Sequence, residues 1–210
     1  MPNNLTLRFR LGSIPVVIEP LFWLMAFIMG SNLRGPAIVL WVGVVFVSIL
    51  VHELGHALAS RAFGARAWIR LHSFGGLTYP DRKLKRSHEI LMTLAGPFAG
   101  FALAGLIIGV SRQFPMILAA PNVALLLSLA VQVNVVWGLM NLLPVPPLDG
   151  GHVALALGGP RHERNVRIVA VVVCAALVAW AISDQSLYRV VLFGSLGYEN
   201  FKHISRVARA

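Results

Sequence analysis

From residue 36 to residue 60 the chain runs through 25 positions whose only ionisable side chains are His52, Glu53 and His56. As a helix, at 1.5 Å per residue, this stretch is about 37 Å long, more than the roughly 30 Å hydrocarbon core of a bilayer. Lipid offers the backbone no hydrogen bonds, so a helix, which satisfies its own N–H and C=O groups, is the structure open to it. Three ionisable groups inside such a helix are costly and mark a cavity with a task; the plainer reading is a polar cluster that bridges helices.

The rest of the chain has the same character. Apolar residues make up 57% of the 210 positions and charged ones 12%, and the mean hydropathy is +0.75. A soluble domain is about a quarter charged, so this is the composition of a polytopic membrane protein. The single cysteine, Cys174, excludes an internal disulfide framework. The net charge of +10 does not point to nucleic acid, because Lys and Arg fall between apolar segments rather than along an aromatic-interleaved face.

Residues 5–11 alternate apolar and polar, the pattern of a strand, and after a turn at Gly12-Ser13 residues 14–18 can return as a second. Pro20 opens a helix over residues 21–32, with Glu19 read as its capping or interfacial carboxylate. Further spans are expected at 89–110, 123–143 and 166–183. Residues 187–196, short and carrying Arg189, read as re-entrant or interfacial. The expected fold is an all-α polytopic membrane protein with five to six transmembrane helices, a short N-terminal strand and a small membrane-associated β-hairpin. It forms one domain over residues 1–210, with a core at about 20–152 and C-terminal helices at about 166–196. Residues 61–88 hold seven basic side chains (Arg61, Arg66, Arg70, Arg82, Lys83, Lys85 and Arg86), whereas the opposite side shows Arg34 and Arg112. By the positive-inside rule the N-terminus and this connector face the cytoplasm of a multi-pass cell-membrane protein. Small size and the lack of a signal-peptide pattern suit a prokaryotic host.

The chemistry concentrates in His52-Glu53-Leu54-Gly55-His56. Positions i and i+4 share a helix face, so both imidazoles reach one ion, while Glu53 reaches a water beside it as general base. Two histidines do not complete a catalytic zinc site, which takes three protein ligands and an open position. The donors elsewhere are Asp149 and His152, at the end of Asn141-Leu142-Leu143-Pro144-Val145-Pro146-Pro147-Leu148-Asp149-Gly150-Gly151. Three prolines and two glycines break the helix here, and irregular backbone at membrane depth belongs where it lines a water-filled cavity.

HELGH in one span and NLLPVPPLDGG ending a later one resemble the site-2 protease family of intramembrane zinc metalloproteases. Phe74-Gly75-Gly76 and Ala95-Gly96-Pro97-Phe98-Ala99-Gly100 add to the likeness. The resemblance implies one zinc ion per chain, held by His52, His56 and Asp149, with Glu53 as catalytic base. It implies that Asn141 helps hold substrate or the developing oxyanion, an interhelical hydrogen bond being the alternative. It also implies that Gly75 and Gly76 belong to a hairpin that takes substrate as an added strand, the alternative being a plain turn. Strand addition matters because a helical substrate hides its carbonyls in its own hydrogen bonds. The form is minimal, without room for PDZ or CBS domains.

The function expected is hydrolysis of peptide bonds within or near transmembrane segments, with the active site toward the cytoplasm. Its partners are transmembrane substrates and the lipid bilayer, with no nucleic acid. Two other readings stand beside it: a metal-binding membrane transporter, for which Gln132 and Asn134 supply polar groups elsewhere, and a silent binder of transmembrane segments.

Overall fold

The computed structural model describes residues 6–207, which form two compact units that divide between Leu139 and Met140. Among the described residues four helices are long and apolar enough to cross a membrane, and a shorter apolar helix accompanies them. The chain is a polytopic membrane protein.

The first unit begins with β1 (Leu7–Leu11) and β2 (Ile14–Ile18), which pair antiparallel around Gly12 at φ +59°. Leu5, expected to start the strand, lies outside the described residues. Helix α1 (Pro20–Met29) and helix α2 (Pro36–Ala62) follow, both opening on the proline that suits a first helical turn. Strands β3 (Ala67–His72) and β4 (Gly75–Pro80) form the expected hairpin. The sequence patterns of the N-terminal strand and this hairpin are local; the structure joins them into a single sheet of order β1-β2-β3-β4. The seam is parallel, Val16 opposite Ile69 and Ile18 opposite Leu71. A parallel pair needs a long crossover, and α1 with α2 supplies it.

Alternation explains the sheet's buried face. Ile14, Val16 and Ile18 of β2 and Ala67, Ile69 and Leu71 of β3 point inward, against Phe22 and Ala26 of α1 and Val44, Val45 and Ile49 of α2. Glu19 occupies the N-cap position of α1, yet its side chain makes no capping hydrogen bond. It accepts instead from Arg70 of β3, Nε to Oε1 at 2.6 Å. That partner holds the Arg70 guanidinium still further above its ordinary pKa. The expected cap is therefore a clasp between helix and sheet.

Helix α3 (Arg86–Gln113) carries Pro97 within it, and a short turn at Pro115–Ala119 leads to α4 (Pro121–Asn141). Small residues set the approach of α2 and α3. A Cβ on Gly55 would lie 2.9 Å from Ala99 Cβ and would overlap the Ala95 carbonyl. Helices in lipid associate through such close contact of small residues.

The second unit holds α5 (Asp149–Gly158), α6 (Glu163–Ser183) and α7 (Leu187–Val207). Cys174 of α6 is buried, and a Cβ on Gly197 of α7 would come within 3.0 Å of its Cβ. The short re-entrant element expected at residues 187–196 is instead a helix running to Val207. Its apolar run stops near Leu196, but the helix continues with polar residues such as Glu199, Lys202 and His203.

Candidate metal centre

The helical spacing of α2 turns His52 and His56 toward each other, Nε2 to Nε2 at 3.2 Å, with the rings edge to face. Both rings and Glu53 between them are buried, exposed by 3%, 6% and 3%. His56 Nδ1 lies 2.8 Å from the Met92 carbonyl of α3. A carbonyl only accepts, so the proton sits on Nδ1 and Nε2 turns a lone pair toward His52. Gly96 of α3 passes directly against this ring; a Cβ there would overlap Nε2 and Cε1 and lie 2.8 Å from Cδ2.

Two nitrogens bound to one tetrahedral zinc at about 2.0–2.1 Å stand about 3.3 Å apart, so the histidine pair has the spacing a shared ion requires. Imidazole suits zinc, and the Nδ1–H to carbonyl bond orients the ring as ligating histidines generally require. The residues present fit the ion.

Glu53 is held from the sheet. Thr78 Oγ1 donates to its Oε2 at 2.7 Å and lies 3.1 Å from its backbone carbonyl. Gly76 covers the other oxygen: a Cβ there would meet Glu53 Oε1 at 2.5 Å and Cδ at 2.6 Å. Gly75 has φ +126°, a conformation that side chains strain to adopt, and a Cβ on it would strike Trp137 of α4 at 2.7 Å. The two glycines thus lay β4 on Glu53. Nothing in the sequence pattern singled out Thr78; only the register of the hairpin, which pairs it with Ile69, brings it to the carboxylate.

Asn134 of α4 donates from Nδ2 to Ser48 Oγ at 2.8 Å and to the Ala130 carbonyl at 2.8 Å. Ser48 stands one helical turn before His52, so this buried bond ties α4 to the histidine-bearing helix. A polar group that invited a transport reading is engaged in holding helices together.

In the second unit, Asn141 is buried at the end of α4 and Asp149 is the first residue of α5, half-buried. His152, three residues on, is exposed. The turn between is packed on itself, with a cis Pro146–Pro147 bond. A Cβ on Gly150 would lie 2.5 Å from the Leu143 carbonyl oxygen, and one on Gly151 would lie 2.6 Å from Pro146 Cα. Asn200 of α7, 1% exposed, donates to the Pro146 carbonyl at 2.6 Å and to the Leu196 carbonyl at 2.9 Å. Its Oδ1 accepts from Arg167 of α6 at 3.3 Å, and Arg167 pairs with Glu163 at 2.9 Å. The sequence reading named no site residue beyond His152, so this fastening was missed; a polar residue spaced four from Leu196 on an apolar helix face was its one signal.

The sequence profile of peptidase family M50 matches residues 40–119 and 115–180. A zinc metalloprotease of Methanocaldococcus jannaschii is 30% identical over 160 residues, 73% of this chain and 46% of that protein. The protein Rip3 of Mycobacterium tuberculosis is 32% identical over 168 residues, 74% of this chain and 42% of its own. The chain therefore spans less than half the length of these relatives. Among solved structures, the site-2 protease from Methanocaldococcus jannaschii superposes with a TM-score of 0.68 over 95% of both chains, at 20% identity. That likeness is one of fold.

Proposed function

Because the chain belongs to peptidase family M50, we propose that it is a zinc metalloprotease that cleaves transmembrane segments inside the bilayer. One observation carries the reading: two imidazole nitrogens 3.2 Å apart with a buried carboxylate beside them, on an apolar helix of 27 residues.

We assign His52, His56 and Asp149 as the metal ligands, the third from the resemblance of its Leu148-Asp149-Gly150 sequence and from carboxylate chemistry. A bound zinc ion supplies Lewis acidity, making a water acidic near neutral pH and polarising the scissile carbonyl. Glu53 takes the proton of the attacking water as the new C–O bond forms, and delivers it to the amide nitrogen as the C–N bond breaks. The Thr78 hydroxyl donates to Oε2 and so orients the carboxylate for that transfer. Burial of the three side chains keeps bulk water from the proton transfer.

Substrate enters as an extended strand. Among the described residues β4 has a partner on one side only, so its outer edge carries the unpaired N–H and C=O groups that accept an added strand. Asn141 is assigned to hold that segment or its oxyanion, and Gly75 and Gly76 are assigned to the strand that receives it. The five basic residues between α2 and α3, with Arg61 and Arg86 at the adjoining helix ends, support a cytoplasmic side for that connector and the N-terminus. His52 lies eight residues, about 12 Å, before Ser60 at that end of α2. Cleavage accordingly falls in the cytoplasmic half of the substrate.

The test compares wild type with Glu53→Gln and Asp149→Ala, purified in detergent, for zinc content and for cleavage of labelled transmembrane peptides. Wild type is expected to carry about one zinc and to cut. Glu53→Gln keeps the ion and loses roughly 100- to 10,000-fold in rate. Asp149→Ala loses ion and activity together. Zinc-loaded wild type that cuts no faster than Glu53→Gln overturns the protease reading. Mass spectrometry of the products locates the scissile bond and checks the assigned side.

A further inference from the structure

Within the first unit, a cleft of about 670 Å³ opens beside the end of α2, apart from the residues assigned to zinc and proton transfer. Arg10 of β1, Arg61 of α2, Arg66 and Arg82 line it, with Trp68 on one wall and Asp81 as the one carboxylate in the lining. Four guanidinium groups less one carboxylate leave a formal charge of +3.

Two of the basic groups are set in place. Arg10 Nη2 donates to the Ser13 carbonyl at 3.1 Å, and Arg61 donates to Ser13 Oγ, so the β1–β2 turn orients both. Asp81 accepts from the Arg66 backbone N–H at 2.9 Å and lies 3.6 Å from Arg82 Nε. Among the described residues, the guanidinium groups of Arg10, Arg61 and Arg66 have no carboxylate within ion-pairing distance. Three cations without counter-charge, two of them oriented by the β1–β2 turn, make a binding site for an anion.

Depth identifies the anion. Helix α2 has 27 residues, about 40 Å, which matches the 40–45 Å of a bilayer with its headgroups. Arg61 is its penultimate residue and so stands in the headgroup layer. Trp68, stacked on Tyr79 at 4.4 Å, is an aromatic pair of the kind that settles at that level. The anion concentrated there is phosphate on lipid, which guanidinium grips bidentately. We propose that this cleft binds the phosphate-bearing headgroup of an anionic phospholipid and so fixes the sheet end of α2 at the membrane surface. The site does not depend on proteolysis, and its test reads lipid rather than cleavage.

The full chain is reconstituted into nanodiscs of phosphatidylcholine with a minority of phosphatidylglycerol, and the lipids retained are counted by native mass spectrometry. Wild type is expected to hold phosphatidylglycerol selectively, less so as salt rises. Arg10→Gln, Arg61→Gln and Arg66→Gln each reduce the preference about fivefold at low salt, and the triple variant abolishes it. The pair Arg34→Gln and Arg112→Gln leaves it intact. If the triple variant fails to fold, the single Arg→Gln changes decide, because each lowers the preference on its own. Equal retention of both lipids by wild type overturns the proposal, as does a preference unmoved by the arginine changes. Tight binding of inorganic phosphate in detergent without lipid selectivity also overturns it, in favour of a free-anion site. Displacement of the lipid by an acidic peptide at low concentration would reassign the cleft to protein.

Discussion

The histidine pair and the aspartate turn are two solutions to one problem, holding a polar donor still in an apolar setting. His52 and His56 need only the regular spacing of α2, and the constraint lies in how closely α3 passes, Gly96 against the His56 ring. Asp149 has no such regularity. It follows a turn of prolines and glycines, and that turn is fastened by Asn200, about fifty residues later in the chain. Regular backbone makes a site that depends on what is absent, a side chain at position 96. Irregular backbone makes one that depends on both, bare glycines at positions 150 and 151 and a single amide in the right place.

Variants can break this comparison. Gly96→Ala is expected to act most strongly, because a methyl group there displaces the His56 ring. A loss of roughly 3–4 kcal/mol, or failure to fold, should accompany loss of bound zinc. A silent Gly96→Ala would end the argument that helix contact holds the pair. Asn200→Leu should cost about 1–3 kcal/mol, since it leaves the Pro146 carbonyl buried without this donor; chemical denaturation followed from a probe on α6 or α7 measures it. A change as small as a surface substitution would show the turn to be held by its own glycines.

Smaller effects sharpen the picture. Thr78→Val is expected to lower turnover about tenfold while zinc content stays at the wild-type level, and Thr78→Ser should restore it; equal losses in both would mean that Thr78 serves packing. Ser48→Ala removes one acceptor of Asn134 and should lower stability by about 0.5–1.5 kcal/mol in a thermal melt. The smallest change concerns acid. Burial pulls the His72 imidazole below its ordinary value, and the Phe74 N–H donates to its Nδ1 at 3.3 Å. The folded state therefore favours neutral His72. Its contribution is complete above the ordinary imidazole pKa near 6.5 and fades as pH falls below it. Amide exchange at Phe74 should quicken over that range, and His72→Gln should remove the dependence.

The spans were legible in the sequence because lipid demands long apolar runs, and the histidine pair because i and i+4 share a face. The polar contacts that complete the picture were not. Thr78 meets Glu53 through strand register, and Asn200 meets Pro146 across 54 positions of sequence; neither separation leaves a periodic trace. Helix α7 was cut short for a related reason. Hydropathy reports where a chain stops being apolar, whereas the backbone remains helical well past that point, to Val207. The parallel seam between β2 and β3 escaped notice because each strand reads locally as half of a hairpin.

That seam also imposes an order on how the protein comes into being. Residues 16–18 find their partners at 69–71, so β2 must wait while two intervening helices are synthesised and take up their places. Closing so long a loop is entropically costly until both elements are in position. Thr78 arrives later still, and until it does the carboxylate at Glu53 lacks the hydroxyl that orients it. A nascent chain emerging beside other unfolded segments in the same membrane therefore carries its histidines before it carries a finished base.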